Sequence, residues 1–189
     1  FMGLPEIFIS FQTAAVSAIT RSARGVLAVA VKDATAGGAA EAAYKSLAEV
    51  PEDKFSPENY RLLKLAFLAA PTKVWVLRVG EEAEKTYQAL ERLRFDWLAA
   101  PGLEDARVMS FIKTLRNGGR GVKAVVANAT APDCEGIVNL CVSGLTLEDG
   151  AMEAKDYAVR VAALLAALPL TRSATYVNLP EVVGCDALA

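Results

Sequence analysis

Histidine is absent from this 189-residue chain, and with it go the commonest general base and the commonest metal ligand. Neither a Ser-His-Asp nor a Cys-His site can be built. Cysteine is scarce: Cys134, Cys141 and Cys185 are an odd number without a CxxC pair. That suits reduced thiols in a cytoplasmic compartment better than a disulfide framework. Zinc would have to rely on cysteine and carboxylates alone, so the thiols read as structural. Phosphate loops are missing too, since neither GxGxxG nor GxxxxGK[ST] occurs. No cofactor and no metal are expected. Charge of one sign is not in excess: 20 Lys plus Arg stand against 22 Asp plus Glu, a net −2. This leaves no basic footprint for nucleic acid or for a membrane surface. The longest apolar run, Val161 to Leu168, is far short of the ~20 residues a bilayer needs. Pro5 and Glu6 stand where a signal peptide carries its basic region.

What is present is a globular composition, 53% apolar and 22% charged, enough for one domain with a sizeable core, or one domain plus an arm. Strand-like and helix-like segments alternate. Val26 to Val31 (VLAVAV) is apolar throughout, as a strand buried on both faces must be. Asp33 to Lys54 stays open between a short helix and an edge strand over Tyr44 to Val50. Ser56-Pro57-Glu58 reads as an N-cap followed by a first helical turn, with Tyr60, Leu63, Phe67 and Ala70 as the stripe and Pro71 as the stop. Lys73 to Val79 is a strand. Glu81 to Arg94 is a helix with Ala83, Tyr87, Leu90 and Leu93 inward, and Asp96 to Ala100 a short strand. Glu104 to Asn117 carries Val108, Phe111, Ile112 and Leu115 at i, i+3, i+4 and i+7, and Gly118-Gly119 ends it. Val122 to Ala127 and Gly136 to Val142 are further strands. Glu153 to Leu168 is the longest helix, with Tyr157, Val161, Leu164, Leu165 and Leu168 on one face. Ser173 to Leu179 is expected to be extended. Strands separated by helices imply crossovers, hence an α/β fold with a largely parallel sheet and helices on both faces.

Candidate chemistry is thin. Asp33, just past the first core strand, is a turn or cap residue in the absence of a base. Ser173-Ala174-Thr175 lacks the preceding glycine and following helix that would expose a nucleophile. Ala36-Gly37-Gly38 follows a strand without the rest of a dinucleotide loop. Asn117 to Gly121 follows a helix, where the dipole repels phosphate. Glu81-Glu82 and Glu104-Asp105 open helices and suit the macrodipole. Trp75 and Trp97 read as core.

The N-terminal segment stands apart. In Gly3 to Phe11 (GLPEIFISF), Ile7, Ile9 and Phe11 share one face and Phe8 the other, which is strand alternation. A small-residue spacer with two arginines, Thr13 to Gly25, separates it from the first core strand. A strand with unpaired backbone must pack back on its own domain or pair with another chain. The long spacer favours pairing elsewhere, so residues 1–25 read as arm and spacer and residues 26–179 as the core.

GLPEIFISFQ…ITRSARGVLAVAVKD resembles the opening of contractile phage tail sheath proteins, of the type found in prophages and phage-derived bacteriocins. FSPENY, KVWVLRV, WLAAPG, VKAVVAN and SATYVNLPEV follow in order and extend the resemblance over nearly the whole chain. It implies a structural subunit and no enzyme: a subtilisin-like core with an arm, built in the host cytoplasm into a sheath around a tail tube that contracts to drive the tube into a target cell. Partners would be other sheath subunits, through strand exchange, and the tube protein. It also implies that residues 180–189 are a tail opening a C-terminal domain this chain lacks. The family's contact residues are not a strict motif, so only the arm residues Ile7, Phe8, Ile9 and Phe11 carry over, as an assembly element. The competing reading from fold class alone is a small cytoplasmic α/β hydrolase or nucleotide-binding protein.

Overall fold

Val26–Val31 is β1, and every one of its side chains is buried, so its place is the middle of a sheet. It pairs in parallel with β3 (Lys73–Arg78) on one side and β4 (Trp97–Ala99) on the other. β5 (Lys123–Val126) and β6 (Ile137–Asn139) continue in parallel beyond β4. β2 (Glu41–Tyr44) closes the opposite edge, antiparallel to β3. The order is β2-β3-β1-β4-β5-β6. The structure is a computed structural model describing residues 25–128, 132–169 and 171–187.

Crossover helices cover both faces, as the alternation of elements requires. α2 (Ala83–Arg92) and α3 (Asp105–Asn117) bury Tyr87, Leu90, Val108, Ile112 and Leu115 against one face. α1 (Pro57–Phe67) and α4 (Ala154–Ala167) bury Leu62, Leu63, Ala66, Ala158, Ala162 and Ala163 against the other. Burying a side chain such as Leu63, Leu90 or Ile112 completely is worth ~1.5–3 kcal/mol each, so the two layers hold the sheet. Ser56 caps α1, its hydroxyl accepting from Asn59 N at 3.3 Å. Asp96 joins the starts of β1 and β4: its carboxylate accepts from Gly25 N at 2.8 Å and Val26 N at 3.0 Å.

A second sheet lies outside this sandwich. β7 (Val142–Leu147) pairs antiparallel with β8 (Gly150–Ala151) and with β9 (Val182–Ala187). Leu145 and Leu147 pack with Leu65 of α1 and Tyr157 of α4 in a small third core.

Several expectations are corrected. The edge strand is Glu41–Tyr44, followed by two single-turn 3₁₀ helices, Leu47–Glu49 and Glu52–Lys54. Gly136 to Val142 is not one strand: the chain leaves the main sheet after Asn139 and starts β7 at Val142 in the other. The buried stripe of α1 is Asn59, Leu62, Leu63 and Ala66, and Ala70 is exposed. On α4 the side facing the main sheet is alanine-rich, while Val161, Leu164, Leu165 and Leu168 are only half-buried. A helix lying close on a sheet selects small side chains there, which outranks the larger leucines. Residues 173–179 turn instead of extending, with Tyr176 in the left-handed region at φ 61°. Trp75 and Trp97 are half-buried, with the Lys73 and Lys123 ammonium groups each 5.2 Å from their ring centres.

Candidate assembly surfaces

Asp33 stands two residues past the end of β1, and its side chain has no exposed surface. One oxygen accepts from Thr35 N at 2.8 Å and lies 3.6 Å from Arg78 Nη1. The other accepts from Ser56 N at 3.0 Å and Asn59 Nδ2 at 2.8 Å. Burial alone would raise its pKa. The hydrogen bonds from Thr35, Ser56 and Asn59 outweigh that and hold it far below the usual carboxylate range. An acid with both oxygens taken and no exposed surface fastens a turn; it reaches no substrate.

The neighbouring Ala36-Gly37-Gly38 turn is equally occupied. Arg78 Nη1 donates to Thr35 O at 2.8 Å, Nη2 donates to Lys54 O, and the guanidinium stacks 4.7 Å from the Phe55 ring centre. A side chain at Gly38 would overlap that guanidinium. Arg78 therefore fills the space where a phosphate loop would hold its ligand. Ser173 is exposed, its hydroxyl accepting from Thr175 N at 3.1 Å and paired with Thr175 Oγ1 at 2.8 Å. It is a turn residue.

Open α/β sheets bind ligands where chain order reverses, here beyond the C-terminal ends of β1 and β4. The Pro101-Gly102-Leu103 turn crosses that crevice. Gly102 N donates to Ala30 O at 2.9 Å, and a Cβ on Gly102 would stand 2.7 Å from Lys32 N. From α4, Lys155 Nζ donates to Leu103 O at 2.6 Å. A cleft of about 490 Å³ does open between the end of β3 and α2. Its rim carries Glu41, Glu81, Glu82, Lys85 and Arg92, charges of both signs, with Lys85 and Glu82 paired at 3.1 Å. No polar groups converge there on one ligand position. Among the described residues, no three Cys, Asp or Glu side chains cluster as a metal site, and no helix is long and apolar enough to cross a membrane.

Edges and exposed apolar groups are what remain. β9 has one neighbour, β7, and its outer edge faces no strand among the described residues. Val183 on it is 68% exposed. β6 forms one edge of the main sheet, with Val138 exposed. Tyr176 is wholly exposed. Two ionic ties hold the second sheet in place. Arg160 Nε, on α4, donates to Glu181 Oε1 at 2.6 Å, and Tyr157 OH donates to the same oxygen at 2.9 Å. Burial alone would raise Glu181, but these bonds outweigh it and lower its pKa. Arg61, on α1, forks onto Asp149, which lowers the Asp149 carboxyl, and its guanidinium also donates to Ala151 O at 3.2 Å.

The predicted assembly residues Ile7, Phe8, Ile9 and Phe11 lie outside the described residues. The three cysteines are unlinked: Cys134 is half-buried, while Cys141 and Cys185 are exposed, Cys185 on β9. The second sheet itself went unread in the sequence. One signal for it was available, since Glu148-Asp149-Gly150 between apolar residues is a hairpin turn pattern.

No model of a known protein family matches the chain. It is 32% identical over 197 aligned positions to a tail sheath protein of Clostridium phage phiCD119, covering 95% of this chain and 53% of that protein. Its fold matches the crystal structure of a sheath tail protein from Desulfitobacterium hafniense, with a TM-score of 0.73 at 14% identity over 95% of this chain and 66% of that one. A sheath tail protein from Listeria innocua matches with a TM-score of 0.71 at 17% identity, over 86% of this chain and 60% of that one. The chain is thus similar in sequence to a phage tail sheath protein and has the fold of two sheath tail proteins. It spans about half the length of the curated relative it matches.

Proposed function

We propose that the chain is the N-terminal part of a contractile tail sheath subunit, with a structural and not a catalytic role. The observation that carries this is the sequence match to a tail sheath protein along 95% of the chain. The filled switch-point crevice and the consumed Asp33 support the non-enzymatic side. The position of Asp33 just past β1 supports a subtilisin-like ancestry for the core. Such subunits assemble with one another around a tail tube in the host cytoplasm, become part of the tail particle, and contract to drive the tube into the target.

Residues 1–25 act as arm and spacer in this reading. Ile7, Ile9 and Phe11 form the apolar face of a strand that adds to the sheet of another subunit, with Phe8 on the reverse. Free strand edges such as that of β9 are what strand addition requires. The test is the pair Ile7→Asp and Ile9→Asp. In the 189-residue chain the melting temperature should be unchanged; in a sheath-length subunit the same pair should prevent sheath formation. If the pair unfolds the chain, the arm is a core strand and the assembly role assigned to it fails.

A further inference from the structure

α2 leaves part of the β2–β3 face open. Glu41 stands opposite Leu77 and Ala43 opposite Trp75 in the antiparallel register, and Leu77 and Trp75 belong to the core beneath α2. Ala42 and Tyr44 turn to the other face, where Tyr44 meets the Phe55 ring at 6.4 Å between centres. On the α2 side, Glu41 and Ala43 are exposed and Trp75 is only half-buried. The cleft of about 490 Å³ lies here, lined by Ala40, Glu41 and Leu77 from the sheet and by Ala89 and Arg92 from α2. Its polar groups do not converge on a small molecule. It is a trough, bounded by a helix on one side and a sheet edge on the other.

That edge is free. Among the described residues, no strand pairs with the outer side of β2. Arg78 N donates to Ala40 O at 2.9 Å. In the antiparallel alternation Ala40 and Ala42 therefore bond to β3, while the N–H and C=O of Glu41 and Ala43 face outwards. An unpaired edge beside an apolar trough is what strand addition uses: the backbone pairs, and alternate side chains enter the trough. The dimensions agree, since β2 spans ~14 Å and α2 ~15 Å. Charge divides along the trough. Glu41 and Glu81 line the end near the start of α2, and Arg92 lines the other; among the described residues none of them has an ion-pair partner. Lys85 and Glu82 on the rim are paired with each other. Lys73, at the start of β3, adds its charge over Trp75 at the Arg92 end.

We propose that this trough receives an extended segment of a neighbouring subunit, about four or five residues long, which pairs with the outer edge of β2. An apolar side chain of that segment rests on Leu77 and Ala89. A basic side chain at one end meets Glu41 and Glu81, and an acidic one at the other end meets Arg92. The neighbouring subunit as the source rests on the sheath reading above. The trough, the free edge and the divided charge belong to this chain alone. β2 and β9 lie in different sheets, so this is an acceptor edge separate from that of β9.

Electron microscopy and hydrogen exchange of a sheath-length subunit, expressed with its tail tube protein, test this. Ala43→Pro removes only an outward N–H, a change that edge strands tolerate. Ala89→Arg fills the cleft with a residue that favours helix. The pair Glu41→Lys and Glu81→Lys turns the acidic end basic. Each of these changes should abolish regular tubes, while β1 amides in the 189-residue chain stay as protected as in the wild type. In wild-type tubes the Glu41 and Ala43 amides should exchange at least about tenfold more slowly than in the 189-residue chain. Tubes from the wild type and from every variant would overturn this proposal alone. So would Glu41 and Ala43 amides that exchange equally fast in tubes and in the free chain. Protection already complete in the isolated monomer would also overturn it, since the chain itself would then fill the edge. Absence of tubes from the wild type would sink the sheath reading, and this inference with it.

Discussion

Asp33 shows how a buried carboxylate just past a core strand fastens a turn. Its two oxygens gather the Thr35 and Ser56 amides and the Asn59 side chain, with Arg78 close by. Replacing it by alanine leaves those donors unanswered and removes the carboxylate beside a nearly buried guanidinium. Asp33→Ala should cost about 3 kcal/mol or more in denaturant unfolding, with no hydrolytic activity to lose. Activity in the wild-type chain that this substitution removes would reverse the reading. Tyr87 is the opposite case. Its hydroxyl is buried and makes no hydrogen bond, while its ring packs 5.1 Å from Phe111 and beneath Arg107. An unanswered buried hydroxyl is a cost. Tyr87→Phe should leave stability unchanged or raise it by up to about 1 kcal/mol; a loss beyond that in thermal melts would mean the hydroxyl has a partner.

Among the elements, those with strong local signals were legible. The six-residue apolar run marked β1, Ser56-Pro57 marked the start of α1, and Gly118-Gly119 marked the end of α3. The faces of α1 and α4 were not, because both helices carry apolar residues on more than one side. On α4 the largest side chains formed the readable stripe, yet alanines make the close contact with the sheet. The split after Asn139 was hidden because Ile137 to Val142 is apolar on both sides of that one polar residue. One of the ties that hold the second sheet on, the Arg160–Glu181–Tyr157 knot, joins α4 to a residue more than 20 positions further along the chain. Glu181→Gln keeps the shape and removes the charge opposite a buried arginine. It should speed amide exchange in β9 well before it affects β1. Asp33 and Glu181 both have depressed pKa values in the fold, so the unfolded chain binds more protons in acid. Their stabilisation is present above the ordinary carboxylate pKa of ~4 and is lost as pH falls below it. Melting temperature should drop on acidification through that range, and less steeply in Glu181→Gln. An unchanged slope would remove Glu181 from the account.

For the molecule as a whole, the α/β class with a parallel sheet and two helix layers followed from the alternation of elements, and the sheath resemblance from the order of its segments. The filled crevice could not be read, since nothing in Pro101-Gly102-Leu103 announces that its turn lies across β1. The arm remained a matter of sequence pattern. The central claim is that this chain is sheath material, and electron microscopy tests it most directly. A sheath-length subunit carrying this chain, expressed with its tail tube protein, should form regular striated tubes in negative stain. Soluble monomers under those conditions, with the tube protein folded and assembled, would contradict it.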